Sequence, residues 1–151
     1  MNNLNNKRKV IQFNGQATLK GINKIGKVRR TSAHSPLETH IHPNLVEISY
    51  LVKGKQTFCL NNKKYKLKGG DIFITFPGEV HGTGKNPREK SILYWFNFDP
   101  ISFKNELIGL QNYNINTLIE RITGLKKRYF KGTTEIKKNI DEIFNIYYKK
   151  D

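Results

Sequence analysis

The sequence lacks several features of secreted and membrane-spanning proteins. Cys59 is the only cysteine, so an internal disulfide is excluded and a reducing compartment fits best. The longest apolar run, residues 92–96, is too short to span a bilayer. The N-terminal segment has no apolar stretch of the kind that signal peptides carry. We therefore expect a soluble cytoplasmic protein, with room in 151 residues for one domain.

Acidic residues are also scarce. The chain has 12 Asp and Glu against 27 Lys and Arg, which gives a formal net charge of +15. Such an excess favours salt-sensitive binding to nucleic acid. Here the charge is mostly Lys and is spread along the chain, and no recognition helix with clustered Arg is evident. We therefore interpret the lysines as solvated surface groups and do not expect this chain to bind DNA directly.

From about residue 16 to 98, short β-type runs alternate with turn residues. Gly54 is predicted to turn the first two strands into a hairpin. Asn61-Asn62 makes the next tight turn, because Asn tolerates left-handed backbone angles. Short strands at such regular spacing predict a sandwich or barrel. The predicted strands are 46–52, 56–60, 65–67, 72–75 and 91–98.

The pattern changes at Asp99. The Asp99-Pro100 pair is typical of a helix start, with an N-cap carboxylate followed by proline at the first helical position. The last third of the chain is therefore predicted to be helical, and its final helix has one apolar stripe. The stripe consists of Ile136, Ile140, Ile143, Phe144 and Tyr147. The predicted helices are about 101–110, 114–130 and 134–149.

These patterns predict a mainly β fold with a helical C-terminal tail, arranged in three segments. Residues 1–15 are polar and have no sustained period, so we expect a mobile arm. Residues 16–98 form the barrel. Residues 99–151 form a helical segment that packs on its own barrel or on a second subunit, and the sequence does not separate these two arrangements.

Three histidines and one glutamate form the candidate site. His40 and His42 are two residues apart, so both imidazoles point to the same face of a strand. A turn at Pro43-Asn44 allows Glu47 to return into the same cavity, and His81 arrives from the far side of the barrel. Imidazoles and a carboxylate are ligands that first-row divalent metals select. The alternative is a neutral, hydrogen-bonded pocket that binds an organic molecule without a metal.

Trp95 is a further candidate for the pocket wall. Aromatic side chains supply apolar area and one polar group. On a strand, only one of Tyr94 and Trp95 can face inward, and packing in the core is the alternative role for either. We assign Trp95 to the pocket.

The spacing of these residues resembles two sequence motifs of the cupin superfamily. His40, His42, Glu47 and Gly54 match the first motif, except that its leading glycine is His34 here. The resemblance implies a cupin, or jelly-roll, β-barrel followed by two or three α-helices.

The second motif is matched from Gly70-Asp71 through Pro77-Gly78 to His81. The asparagine expected four residues after His81 is Lys85. Both departures weaken the similarity to metal-dependent cupin enzymes.

The longer pattern over residues 36–98 is similar to the N-terminal effector-binding domain of AraC-type transcription regulators. The resemblance implies a small polar effector, such as a sugar, in the barrel, and helices that pair two subunits into a homodimer. It implies no catalytic residues and no organic cofactor. The DNA-binding helix-turn-helix of that family would lie beyond residue 151.

The resemblance therefore implies a ligand-sensing and dimerisation domain of a transcription regulator. The expected pocket residues are His40, His42, Glu47, His81 and Trp95, and the first four are also the expected ligands of one divalent metal ion. The alternative is a metal-dependent cupin enzyme, an isomerase or dioxygenase, in which three His and one Glu leave coordination positions open for substrate or O₂.

Overall fold

In a computed structural model, which describes residues 7–13, 21–102 and 115–149, antiparallel strands form the body of the molecule and helices follow them. The predicted fold class, mainly β with a helical C-terminal tail, is confirmed. The strands are β1 (Lys7–Gln12), β2 (Ile22–Arg30), β3 (Val46–Leu60), β4 (Lys63–Lys68), β5 (Asp71–Thr75), β6 (His81–Gly82), β7 (Ser91–Phe98) and β8 (Tyr129–Lys131). The helices are α1 (Ile115–Thr123) and α2 (Thr134–Tyr148).

The long strand β3 joins two parts of the barrel. Its first half pairs with β5 and β7, in the order β1-β2-β7-β3-β5-β8. Its second half pairs with β4 and β6. The side chains enclosed between these parts form one apolar cluster, so the interior is a packed core. Its buried members are Val28, Leu51, Phe58, Leu60, Leu67, Phe73 and Leu93.

The predicted hairpin at Gly54 is wrong. The chain continues through Gly54 as one strand, and residues 56–60 pair with β4, not with residues 46–52. Gly54 has φ +97°, and the β3–β7 register shifts between Leu51 and Lys53. The extra residue is Val52, so the lone glycine lies beside a bulge, and along this stretch β3 passes from one set of partner strands to the other.

The predicted mobile arm is wrong for residues 7–12. They form edge strand β1, which pairs antiparallel with β2. Ile11 is fully buried in the cluster beneath α2, while Lys7, Arg8 and Lys9 are exposed. One buried apolar residue among basic ones leaves too weak a period to be recognised in the sequence. Residues 1–6, 14 and 15 of the predicted arm lie outside the described residues.

The second predicted helix is too long. It ends at Thr123, and residues 129–131 form β8 on the edge of β5. Asp71 on β5 forms an ion pair with Lys131, and Ile74 N donates to Arg128 O at 2.9 Å. Pairing with an open sheet edge thus outweighs the helical pattern of the segment.

The other two helices agree with the prediction where they are described. Asp99 Oδ1 accepts hydrogen bonds from the amides of Ile101 and Ser102 at 2.9 and 3.3 Å, as an N-cap does. The first predicted helix spans about residues 101–110, and its residues 103–110 lie outside the described residues. The last helix, α2, matches the predicted range closely. No helix within the described ranges is long and apolar enough to cross a membrane.

The sheet is apolar on both faces. Along β7, Leu93 belongs to the barrel interior, and the partly buried Trp95 packs against the same cluster. The alternate residues Tyr94, Phe96 and Phe98 point to the outer face, which the helices cover. The predicted stripe of α2 is divided: Ile140 and Phe144 are buried on the sheet, and Ile136 packs against them, whereas Ile143 and Tyr147 are 38% and 47% exposed.

Candidate functional site

The three predicted histidines meet at one end of the barrel. His40 and His81 form an isolated antiparallel bridge, in which each amide donates to the other's carbonyl at 2.9 and 3.0 Å. The amide of Gly78 donates to His42 O at 3.0 Å. Backbone bonds therefore hold the segment with the first two histidines against the segment with the third, although about 40 residues separate them. The ring centroids of the three imidazoles are 4.4 to 5.2 Å apart.

The orientation of the imidazoles suits cation binding. His40, His42 and His81 each offer one ligand atom, and these atoms all lie within 4.8 Å of one another. His40 Nδ1 lies 2.9 Å from Glu38 O, and His81 Nδ1 lies 2.8 Å from Glu79 O. A carbonyl oxygen only accepts, so the neutral form of each ring carries its proton on Nδ1 and leaves the lone pair of Nε2 free. Metal-binding histidines are held by the same kind of bond.

The Nε2 atom of His81 is buried and has no hydrogen-bond partner in the described structure. His81 is only 4% exposed. Burial lowers the pKa of His81, and neighbouring His40 and His42 lower it further, against the opposing effects of Glu79 and Glu47. The imidazole is therefore neutral at neutral pH, which is the state that binds a metal. A buried acceptor without a partner is costly, and a bound cation or donor would satisfy it.

Glu47 lies beside the histidines. Its Oε2 atom is 3.4 Å from His42 Nε2, and both side chains are partly exposed. Burial raises the pKa of Glu47, but the hydrogen bond from His42 and the charges of the three imidazoles outweigh it and lower the pKa overall. The carboxylate is thus ionised, and it can orient His42 or complete a cation site.

Little space lies behind the histidines. The cavity beside His81 measures about 10 Å³ and is also lined by Glu47, Ser49 and Phe73. That volume holds about one water molecule. An organic ligand must therefore approach from the solvent side, where His40 and His42 are partly exposed.

Trp95 lies apart from this small cavity, whose lining does not include it. It packs against the barrel core, and the guanidinium of Arg8 lies 5.4 Å from the centroid of its ring. Gly26 pairs with it on the next strand and leaves room for the indole, since a Cβ at Gly26 would collide with the ring. Trp95 also contributes to a larger cavity under the helices.

The structure adds residues that sequence reasoning missed. Glu79 fixes His81 through its backbone carbonyl, and its carboxylate accepts a hydrogen bond from Arg128 at 2.6 Å. The Arg128 guanidinium also stacks over Phe76 at 4.2 Å. No sequence motif links Arg128 to the histidines, because the contact depends on the docking of β8. The acidic character of Glu79, inside the second motif, was the only visible signal.

The architecture of this chain is that of the cupin fold. The cupin domain of Cnp3 from Schizosaccharomyces pombe has 13% identity and a TM-score of 0.50, over 81% of this chain and 73% of that one. A predicted oxalate decarboxylase from Thermotoga maritima has 20% identity and a TM-score of 0.51, over 62% and 84%. Similarity at these identities shows the fold alone.

Within the cupins, the chain belongs to the AraC-like ligand binding domain family, whose model matches residues 26–150. This match supports a ligand-sensing role. No curated protein sequence gives a significant match.

Proposed function

We propose that this chain is the effector-sensing and dimerisation domain of a transcription regulator, acting in the cytoplasm. A small polar effector, such as a sugar, binds at the barrel mouth beside His40 and His42. DNA is contacted through a domain outside this chain. Membership of the AraC-like ligand binding family supports the sensing role, and the partly exposed imidazoles support entry from the solvent side.

We further propose that His40, His42 and His81 hold one divalent metal ion, with Glu47 as a fourth ligand or as the group that orients His42. The observation that carries this proposal is the buried Nε2 atom of His81, which has no hydrogen-bond partner among the described residues and whose ring lies 4.4 and 5.2 Å from two other imidazoles, centroid to centroid. Nitrogen donors with one carboxylate suit zinc, nickel or iron. When bound, such an ion supplies a Lewis-acidic centre for an oxygen atom of the effector.

Residues of the chain connect the histidine site to β8 and α2, so that binding at the site can act on them. Binding at His81 acts on the segment of Glu79, and the Glu79 carboxylate is bonded to Arg128, which precedes β8 and α2. An effector that binds one arrangement of this contact more tightly shifts its population by that difference in affinity.

Dimerisation is proposed to use the outward face of α2. Its large apolar side chains are 38% to 55% exposed, an unusual exposure for four such residues on one helix. A two-fold contact between copies of this helix would cover them. Sedimentation of the protein at micromolar concentration should show a dimer, and a strictly monomeric species would overturn this part of the proposal. The four exposed apolar side chains of α2 are Ile143, Ile146, Tyr147 and Tyr148.

The metal proposal is tested by titrating the chelator-stripped protein with Zn²⁺ or Ni²⁺ in a calorimeter. We expect one ion per chain, and His81→Ala should weaken binding by at least about 100-fold. His34→Ala is the matched control, since His34 lies off the cluster, in a backbone bridge with Arg88. Equal metal affinity in wild type and His81→Ala would overturn the proposal.

A metal-dependent cupin enzyme, an isomerase or dioxygenase, is the second candidate. Three nitrogen donors that leave coordination positions open on the solvent side favour it. Oxygen uptake by the Fe²⁺-loaded protein, with catechols or other diols as test substrates, would support this candidate. A sensor domain should show no turnover above that of His81→Ala.

A further inference from the structure

A second and much larger cavity lies on the opposite face of the sheet from the barrel interior. It measures about 310 Å³. The sheet contributes Ile48, Ile72 and Phe96 to its lining, and the C-terminal part of the chain contributes Phe130 and Ile136. It is therefore a space between the barrel and its tail.

The cavity lies at the seam between two apolar clusters. In one cluster, Phe144 of α2 is buried against the sheet; in the other, Ile119 of α1 is buried against it. Ile72 and Phe96 pack against both clusters and also line the cavity. The two helices thus dock separately, and within residues 7–13, 21–102 and 115–149 the sheet between them is left partly uncovered.

The surface of the cavity is almost wholly apolar. Two tyrosines lie in the wall, but both hydroxyls are already bonded. Tyr50 donates to Thr133 O at 3.1 Å, and Tyr94 donates to Asp141 Oδ1 at 2.8 Å. A charged ligand would lose its hydration here without finding a partner.

We propose that this cavity is a binding site for a small uncharged apolar molecule, of about ten non-hydrogen atoms if each takes the roughly 30 Å³ of a liquid water. The volume is at the lower end of natural ligand pockets, which begin at about 300 Å³. An apolar occupant would remove the lining of this space from water, and that burial favours binding. The site is separate from the histidine cluster.

The position of the site connects it to α2. Ile136 and Ile140 line the cavity from the inner face of the helix, while Ile143 and Tyr147 on the outer face are exposed. An occupant would therefore contact the inner face of α2 and stabilise its position on the sheet. It would thereby affect how α2 presents its outer face to other molecules.

Decan-1-ol is a suitable probe, because it is uncharged and fits the volume. Isothermal titration calorimetry measures its binding directly. We expect saturable binding and a higher melting temperature for the wild-type chain. Ile136→Phe, which fills the cavity, should weaken binding by at least about tenfold. Ile143→Phe is the matched control on the exposed face of the same helix and should bind as wild type does.

Ile48→Phe fills the cavity from the sheet side and serves if Ile136→Phe does not fold. Equal binding of decan-1-ol to the wild type and to whichever cavity-filling variant folds would place the probe elsewhere and overturn the proposal. Absence of saturable binding to the wild type, together with a melting temperature lowered by Ile136→Phe, would show that the chain itself fills the space and would overturn the proposal. His40→Ala should retain decan-1-ol binding, so this result is independent of the metal proposal.

Discussion

Arg128 donates through Nη2 to Glu79 Oε1 at 2.6 Å, with both side chains largely buried. The other oxygen of Glu79 accepts the amide of Phe76 at 2.7 Å, and its backbone carbonyl accepts Nδ1–H of His81. One residue thus joins the tail to the histidine cluster. The link is covered from solvent, so it is stronger than a surface ion pair.

Replacing Arg128 by Gln should therefore affect both stability and metal binding. We expect the free energy of unfolding to fall by about 1–3 kcal/mol, because the buried Glu79 carboxylate loses its partner. The affinity for Zn²⁺ should fall by about tenfold, the low end of the effect of residues that orient metal ligands. Urea unfolding and calorimetric titration measure the two quantities. Lys127→Gln, at an exposed neighbour, is the control, and an unchanged Zn²⁺ affinity in Arg128→Gln would restrict Arg128 to a structural role.

Metal removal should lower thermal stability. An ion present at 100 times its dissociation constant stabilises the folded state by about 2.7 kcal/mol. For a domain of this size we expect the melting temperature to rise by about 5–10 °C with Zn²⁺ and to fall again with chelator. His81→Ala should show no such response in scanning calorimetry. If neither Zn²⁺ nor chelator changed the melting temperature of the wild type, the result would contradict the metal site.

Asp141 fastens α2 to the sheet and should make stability depend on pH. Burial raises the pKa of this carboxyl, but hydrogen bonds from Lys137, Lys27 and Tyr94 outweigh it and lower the pKa to about 2. A lowered pKa stabilises the fold fully above about pH 5, and the effect is lost as the pH falls through 3.8 towards 2.

Asp141→Asn should thus cost about 1–2 kcal/mol at pH 7, a value reduced for the partial exposure of the carboxylate. The difference in free energy of unfolding between wild type and Asp141→Asn should shrink as the pH falls from about 5 to 2. Denaturant unfolding across this pH range measures that difference, with Glu142→Gln, on the exposed face of the helix, as the control. A difference that does not change with pH would show that the ionised carboxylate is not its cause.

Gly54 and Gly70 allow the bulge in β3 to be tested against a matched position. Both have positive φ, +97° and +90°. A Cβ at Gly54 would collide with Lys90 O, whereas one at Gly70 would meet nothing within 4 Å. Gly70→Ala should cost about 1–2 kcal/mol for its left-handed backbone, and Gly54→Ala should cost roughly 1–3 kcal/mol more. Equal losses in urea unfolding would mean that β3 relaxes around the bulge.

Much of the fold was predictable from local pattern. Asp99-Pro100 marked a helix start, and the spacing of Ile136, Ile140 and Phe144 marked the helix that covers the sheet. Where the predicted secondary structure was wrong, pairing between distant segments determined the structure. β1 has one deeply buried residue, Ile11, and β8 forms because β5 offers an open edge. In the sequence, Gly54 is equally compatible with a turn or a bulge, and only the pairing partners of β3 distinguish the two.

The sequence by itself determined the residue types of the candidate site, since the spacing of His40, His42, Glu47 and His81 was visible without coordinates. Only the tertiary structure decided the protonated nitrogen of each imidazole, because backbone carbonyls from Glu38 and Glu79 select it. It also decided that the barrel interior is filled and that the larger space lies beneath α2. Volumes and carbonyl directions arise from packing between distant segments, and no local pattern of residue types encodes them.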